Sequence, residues 1–313
     1  MKVPQIKGTL RFSRNGVRAA MRFGAEGPTR GEGITVEPSV TETARGIRFD
    51  LRVHTQSGIV IDAAFFETDL IESRDDRVYL NGYQSWTDTK EFTRHDRMTG
   101  PSKLFAPLFE KHKVQRYGDY GFQSYSRRRG VLHGASYAYV RGSGDTVRLI
   151  GSLDETSGFT FINVNLNKKR MTVGKDCAGL AVTGEYRAFS LLFAEGTVDG
   201  VMDGWFGEMG IKPRPALPRT GWTSWYNYYR DISEEIILDN LDSFAARKIP
   251  IEIFQIDDGY QTAVGDWLSV NDRFPNGLKP VADRIKEAGF VPGIWLAPFA
   301  GETKSALFTE HPD

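Results

Sequence analysis

The alternation of apolar and polar residues predicts β-strands along the first two-thirds of the chain. GIRFDLRVHT (46–55) and FTFINVNLN (159–167) follow period two, the spacing of a strand with one buried face. GIVIDAAFF (58–66) is more continuously apolar, which is typical of a strand covered on both faces. Short runs rich in Gly, Asn, Asp and Ser separate these segments and mark turns. The pattern predicts a large antiparallel β-sandwich over residues 1–198.

A change of pattern after residue 198 predicts a domain boundary. VDGVMDGWFGEMG (198–210) places its apolar residues on one face of a short helix. IKPRPALPR (211–219) contains three prolines, which favour a stiff, extended connection. We therefore predict a helix and proline-rich linker over residues 199–219 and a second domain over residues 220–313.

The second domain alternates strands with helices. A short strand and its exit loop are predicted over 220–227, and further strands over 249–256 and 290–299. The helices are predicted over 231–248 and 278–289. The isoleucine-rich central strand, IPIEIFQI, is apolar enough for a parallel strand covered on both faces. A strand every ~30–40 residues is the period of βα units, so we expect three neighbouring parallel strands.

Two adjacent carboxylates, Asp257 and Asp258, directly follow the central strand. Polar chemistry gathers at the carboxyl ends of parallel strands, and here GWTSW (221–225) and Trp295 end the neighbouring strands. Carboxylates accept hydrogen bonds from hydroxyl groups, and indole rings cover the apolar faces of sugars. These strand ends could therefore form a pocket for a polyol such as a sugar. A structural interpretation is equally open: Asp257 caps the turn, and Asp258 pairs with a lysine or an arginine.

Adjacent aspartates are poor candidates for the two catalytic acids of a glycosidase. Such acids flank the scissile bond roughly 5–10 Å apart. Sequence neighbours are ~3.8 Å apart at Cα and point to opposite faces when the chain is extended. If the pair has a function, binding of substrate hydroxyls is the better interpretation.

Composition excludes several classes of function. The 40 basic and 40 acidic residues cancel, so no net field attracts nucleic acid or an anionic membrane. No apolar run approaches the ~18 residues of a membrane span, and the charged start lacks the apolar core of a secretory signal. The single cysteine, Cys177, cannot form an internal disulfide, and the five histidines show no metal-binding spacing. We expect a cytoplasmic protein without a metal site.

The motifs of the second domain resemble those of the family 36 glycoside hydrolases, which are α-galactosidases and related galactosyl-transferring enzymes. They are GWTSWYNYYRDISEE, the long segment from FQIDDGYQ to GIWLAPF, and the closing EHPD. The resemblance covers residues 218–313 and extends into the first domain at NGYQSW (81–86). It implies a (β/α)8 barrel after a β-sandwich, and retaining cleavage of terminal α-linked galactose with no metal and no organic cofactor.

The same resemblance implies roles for individual residues. Asp257 and Asp258 would bind galactose hydroxyls, and Trp222 and Trp295 would line the sugar pocket. The further possible pocket residues are Trp225, Asp266 and Trp267. A loop hydrogen bond and a packed aromatic ring explain the last two equally well. The implied partners are small α-galactoside oligosaccharides, and because family members often form tetramers, a homo-oligomer is expected.

The chain departs from the family in length. A (β/α)8 barrel takes about 250 residues, whereas fewer than a hundred follow the predicted linker. The family's nucleophilic and acid/base aspartates follow the fourth and sixth strands, and would lie beyond Asp313. We therefore expect an amino-terminal fragment of such an enzyme, inactive alone. Two alternatives stay open: a non-catalytic sugar-binding or assembly module, and a galactosyl-transferring relative.

Overall fold

Contacts between residues divide the chain into two units, residues 1–213 and 214–313. The computed structural model describes residues 3–84, 87–100, 118–120, 123, 125–212, 214 and 217–312. Within this part of the chain, no helix combines the length and the apolar character that crossing a membrane requires. Ser85 and Trp86 of the NGYQSW motif lie outside the described residues. The three-way division with a separate segment at 199–219 stays a prediction.

In the first unit, the described strands form one 13-stranded, hydrogen-bonded sheet. They are β1 (Ile6–Arg14), β2 (Val17–Phe23), β3 (Thr29–Gly31), β4 (Ile34–Thr43), β5 (Gly46–Thr68), β6 (Arg77–Leu80), β7 (Lys90–Phe92), β8 (Val131–Ala135), β9 (Tyr137–Arg141), β10 (Val147–Ser152), β11 (Thr160–Asn165), β12 (Arg170–Lys175) and β13 (Leu180–Gly196). Its main path runs β7-β6-β9-β10-β13-β5-β12-β11-β8, with β1 to β4 joined at the side of β5. The prediction of an antiparallel, β-rich first domain is confirmed.

The 23-residue strand β5 is the centre of this sheet. It pairs with β1, β4, β12 and β13. Phe49 and Phe66 both lie on β5, about 17 positions apart, which is ~56 Å along a straight strand at ~3.3 Å per residue. Their ring centroids are nevertheless 5.6 Å apart. β5 therefore bends back on itself, and the sheet folds over a core in which both rings are buried.

The sequence runs 46–55 and 58–66, predicted as separate strands, are parts of β5. The polar residues between them do not end the strand, because β13 pairs with residues on both sides of them. The register shifts between Val182 and Gly184 of β13 at this point. Such an irregularity bends a strand without interrupting it.

Helix α1 (Val198–Glu208) covers one face of β10 and β13. Thr197 caps it, since its Oγ1 accepts a hydrogen bond from the Gly200 N–H at 3.2 Å. Val201 and Trp205 are buried beneath the helix. The indole Nε1 of Trp205 donates to the backbone oxygen of Ser152 at 2.8 Å, which ties the helix to the sheet.

The second unit contains three parallel strands, β14 (Gly221–Thr223), β15 (Ile253–Ile256) and β16 (Val291–Ile294), in that order across the sheet. Its helices are α2 (Trp225–Tyr228), α3 (Glu234–Ala246), α4 (Leu278–Glu287) and α5 (Ala306–Glu310). Helix α3 connects the first two strands and α4 the last two, as the βα pattern predicts. The eight-stranded barrel that the resemblance implies stays a prediction.

The strands of this unit are shorter than predicted. β15 was expected from Ile249 and begins at Ile253. Lys248 has a φ of 52°, and the Ile249 N–H donates to the Phe244 carbonyl at 3.1 Å, so Ile249 belongs to the end of α3. Pro250 then has no N–H to donate to a neighbouring strand.

The pairing of β14 with β15 determines which of their side chains share a face of the sheet. Trp222 pairs with Phe254, and Thr223 pairs with Gln255. Trp222 and Phe254 pack against the apolar side of α3, in a core that includes Ile237. Side chains alternate along a strand, so Thr223 and Gln255 lie on the opposite face.

Candidate functional site

Asp257 is buried at the carboxyl end of β15, and three donors hold its carboxylate. Thr223 Oγ1 and Gln255 Nε2 donate to Oδ2 at 2.8 and 2.9 Å. The backbone N–H of Asp258 donates to Oδ1 at 2.9 Å. The Asp257 N–H in turn donates to Ser224 Oγ at 3.0 Å. The carboxylate is thus fixed on the sheet face that Thr223 and Gln255 share.

Asp258 is buried beside it, with different partners. Gln261 Nε2 donates to its Oδ1 at 2.6 Å. The Gly259 N–H donates to Gln261 Oε1 at 3.2 Å, so both ends of this amide are engaged. Arg230 Nε lies 3.5 Å from the same oxygen, Oδ1. The sequence could not show either partner, but an aspartate–arginine contact is what the structural interpretation of the pair predicts.

Gly259 brings the backbone close to Arg230. Its φ is 121°, and a Cβ at this position would lie 2.4 Å from the Arg230 carbonyl oxygen. Arg273 donates to the carbonyl oxygens of both residues, to Arg230 at 2.9 Å and to Gly259 at 3.0 Å. A side chain at Gly259 would push these two segments apart, and with them the groups around Asp258.

A strained turn presents Arg230 to Asp258. The Asp231 N–H donates to the Tyr228 carbonyl at 2.9 Å. Between them Tyr229 has φ 49° and ψ −126°, a combination that residues with a Cβ rarely adopt. Beyond Asp258, the Arg230 guanidinium also reaches Glu302, 3.6 Å away.

Glu302 fastens the loop after β15 to the loop after β16. Its Oε2 accepts the Val264 N–H at 3.0 Å. That hydrogen bond, with the charges of Arg230 and Lys304, outweighs burial and lowers the pKa of Glu302 below its usual value. Arg230 therefore lies between two carboxylates, that of Asp258 and that of Glu302.

Trp295 and Trp267 pack together near the same strand ends. Their ring centroids are 5.8 Å apart in an edge-to-face arrangement. The Trp295 N–H donates to the Ile256 carbonyl at 2.9 Å, directly before Asp257. The buried hydroxyl of Tyr260 donates to the Trp295 carbonyl at 3.3 Å. Burial, with a smaller effect of the Asp258 charge, raises the pKa of Tyr260.

The structure does not bring Trp222 together with the two carboxylates. Its ring stacks on Phe254 at 4.3 Å between centroids and lies 6.0 Å from Phe244 of α3. The reason is strand alternation, which turns Trp222 to the face opposite Thr223. Trp225, on the short helix α2, is half-buried and makes an edge contact with Tyr229, 5.3 Å between centroids.

Asp266 binds backbone rather than facing the two aspartates. Its two oxygens accept the N–H groups of Ala306 and Leu307, each at 3.1 Å, at the start of α5. Ser305 caps the same helix through the Phe308 N–H at 3.0 Å. The predicted loop hydrogen bond accounts for Asp266. Among the described residues, no three His, Cys, Asp or Glu side chains are grouped as a metal site requires.

Comparison with known proteins connects this site to a family. Residues 211–313 match the Melibiase family model. The predicted resemblance is confirmed. The α-galactosidase Mel36A of Lactobacillus acidophilus is 34% identical over 97 residues, which are 29% of this chain and 13% of that protein. An α-galactosidase of Escherichia coli is 32% identical over 108 residues, 32% of this chain and 15% of that protein.

Solved α-galactosidase structures resemble the chain over nearly its whole length. TtGalA from Thermus thermophilus matches with a TM-score of 0.59 and 24% identity, covering 97% of this chain and 52% of that one. AgaA from Geobacillus stearothermophilus matches with a TM-score of 0.54 and 16% identity, covering 90% and 40%. The melibiase-like segment and the β-rich unit before it therefore share the fold of these enzymes. The chain spans about half the length of TtGalA and two-fifths of the length of AgaA.

Proposed function

We propose that the chain forms the amino-terminal part of a retaining glycoside hydrolase that removes terminal α-linked galactose from oligosaccharides. The observation that carries the proposal is the melibiase match over residues 211–313. Within that segment the carboxylate pair lies at the carboxyl end of the central parallel strand. TtGalA was solved with p-nitrophenyl α-D-galactopyranoside and with stachyose, and a variant of AgaA with raffinose. Small α-galactosides are the substrates we propose for this protein.

In this proposal Asp257 and Asp258 bind hydroxyl groups of the galactose ring. Their hydrogen bonds to Thr223, Gln255 and Gln261 do not exclude this role, because a carboxylate has about four acceptor positions. Trp295 and Trp267 supply indole surface at the same end of the sheet, suited to the apolar face of a sugar. The nucleophile and the general acid come from outside residues 1–313, so the chain alone is expected to show no turnover.

Conservative replacements of the two aspartates test the proposal. They are made in the protein encoded by the complete reading frame, and kcat/KM is measured with p-nitrophenyl α-galactoside. Asp257→Asn and Asp258→Asn keep the size of the side chain but remove a charge-assisted bond worth roughly 1.5–3 kcal/mol. The expected loss in kcat/KM is about 10- to 150-fold. Asp239→Asn, on the exposed face of α3, is the matched control and should change nothing.

The kinetics and the melting of these variants distinguish a role in substrate binding from a role in stabilising the fold. Near-wild-type kinetics in both variants, with unchanged melting, would contradict the proposal. Loss of folded protein would favour the purely structural interpretation of the pair. A wild-type protein that binds galactose without turnover would favour the non-catalytic sugar-binding module instead. Free galactose among the products indicates hydrolysis, and a new oligosaccharide indicates galactosyl transfer.

A further inference from the structure

The two carboxylates differ in which of their oxygens the protein occupies. Asp257 has both engaged: Oδ2 accepts from Thr223 and Gln255, and Oδ1 from the Asp258 N–H. Asp258 has both of its contacts on one oxygen, Oδ1. In the part of the chain that the structure describes, nothing donates a hydrogen bond to Asp258 Oδ2. Asp258 also keeps 11% of its side chain exposed, although the residue as a whole is buried.

We infer that Gln261 is a positioning residue, which holds Asp258 by Oδ1 so that Oδ2 is free to bind a substrate hydroxyl. The inference rests on the proposed function. Gln261 is 4% exposed and approaches to 2.6 Å, so water does not compete with its bond. Its amide orientation is fixed from the other side by the Gly259 N–H. Asp257 differs in that Thr223 on β14 and Gln255 on β15 hold its carboxylate directly.

Arg230 assists but does not replace Gln261. Its guanidinium contacts the same oxygen at 3.5 Å, yet its side chain is 48% exposed and is shared with Glu302. Solvent screens an ion pair of this kind strongly. A neutral, buried amide donor fixes the carboxylate without adding a charge next to Asp257. Gln261 is therefore the residue whose loss should release the side chain of Asp258.

Two substitutions of Gln261 should differ in how their activity depends on pH. Gln261→Met keeps the length but removes the donor, so kcat/KM should fall about 10- to 100-fold at every pH. Gln261→Glu places a carboxyl group against Asp258. Near neutral pH the two charges repel, whereas a protonated carboxyl donates a hydrogen bond much as the amide does. The activity of this variant relative to wild type should therefore rise several-fold between pH 7 and pH 5.

Other charged groups around the pair must be considered in that experiment. They are Asp257, Arg230, the Tyr260 hydroxyl and Arg273, which donates to the Gly259 carbonyl. All are present in wild type and in both variants, and Gln261→Met, which adds no carboxyl group, shows how much of the pH dependence arises without the new charge. Gln56→Glu, at an exposed position of β5, introduces the same charge in the other unit and is the control.

Two measurements test the positioning role of Gln261. They are the kinetics of the protein encoded by the complete reading frame and a crystal structure of its Gln261→Met variant. We expect Asp258 to occupy more than one rotamer in the variant, and the Gln261→Glu ratio to rise at low pH. An unmoved Asp258, or a flat ratio for Gln261→Glu, would overturn the inference while leaving the proposed function intact. Wild-type protein that neither binds nor cleaves α-galactosides would overturn the proposed function and this inference with it. If Gln261→Met does not fold, the Gln261→Glu ratio alone decides.

Discussion

The indole of Trp205 lies directly over Gly151: a Cβ at Gly151 would come within 2.7 Å of Nε1. Strand β10 is paired on both sides here, with Tyr137 and Leu192, so its backbone has no room to retreat. The indole is also held by its hydrogen bond to Ser152. We therefore expect Gly151→Ala to lower the free energy of unfolding by ~1–3 kcal/mol, as overpacking of a core does. Urea denaturation measures the change.

Gly144→Ala is the matched control for that prediction. A Cβ at Gly144 would meet nothing within 4 Å, and its φ is not in the left-handed region. Its effect should stay within about 0.5 kcal/mol. Equal unfolding free energies for the two variants would show that α1 shifts freely over the sheet.

Glu91 gives the stability of the first unit a dependence on acid pH. Burial alone raises its pKa, but hydrogen bonds from Arg141 Nε (2.7 Å) and the Tyr139 hydroxyl (2.9 Å) outweigh it and the pKa lies below the usual value. A lowered pKa in the folded state stabilises the protein above the unfolded value, ~4.3, and the gain is lost as pH falls through the folded pKa. Glu91→Gln should therefore flatten the decline of stability below about pH 4.5.

The comparison for Glu91 is another single carboxylate on the same sheet. Glu195→Gln removes an exposed charge from β13 and should leave the acid part of the curve steep. Urea midpoints measured from pH 3 to pH 7 test both variants. If the Glu91 and Glu195 curves coincide, the contacts of Glu91 with Arg141 and Tyr139 do not contribute to stability.

Ser233 caps the N-terminus of α3, and its capping hydrogen bond is expected to stabilise the protein. Its Oγ accepts the Ile236 N–H at 3.2 Å. Ser233→Ala should cost ~1 kcal/mol, and Ser233→Asn, which retains an acceptor, should cost less. Ser243→Ala, at an exposed site inside the same helix, should be neutral or slightly stabilising because alanine has the higher helix propensity. A thermal melt that ranks the three variants differently would contradict this.

Strain at Tyr229 should be measurable by comparing two truncations. Tyr229→Ala and Tyr229→Gly both remove the ring that contacts Trp225. Only glycine adopts φ 49° and ψ −126° without strain. Strain of this kind costs about 1–3 kcal/mol, so the glycine variant should be the more stable of the two by ~1–2 kcal/mol. The reverse order would show that the turn relaxes when the ring is lost.

The sequence predicted the antiparallel, β-rich character of the first unit and the main elements of the second because their signals are local. Period two predicted part of β5 and the region of β11, and the βα alternation predicted the three parallel strands and the two longer helices between them. The position of Asp257 followed from the same logic, since the side chain directly after an apolar strand lies at its carboxyl end. Gln255 could have been added by alternation alone, because it precedes Asp257 by two residues and shares its face.

The partners of these residues could not be predicted from local signals. Trp222 was expected in the pocket, but its direction depends on the register of β14 against β15. Arg230 reaches Asp258 from a turn 28 positions earlier in the chain, and Asp266 binds the start of a helix about 40 positions later. Such contacts are set by packing between elements, for which a single sequence gives no spacing rule.

The bend of β5 has a consequence for the time course of synthesis. Its partners β1 and β4 have already been made when Thr68 leaves the ribosome, but β13 ends about 130 residues later. At ~5–20 residues per second this interval lasts roughly 6–26 s. Throughout it, the nascent protein presents the side of β5 that β12 and β13 later cover as an open strand edge, a template for pairing with other chains. This open edge is exposed to wrong pairing for far longer than the edges of β14 and β15, which lie within about 35 residues of each other in the chain.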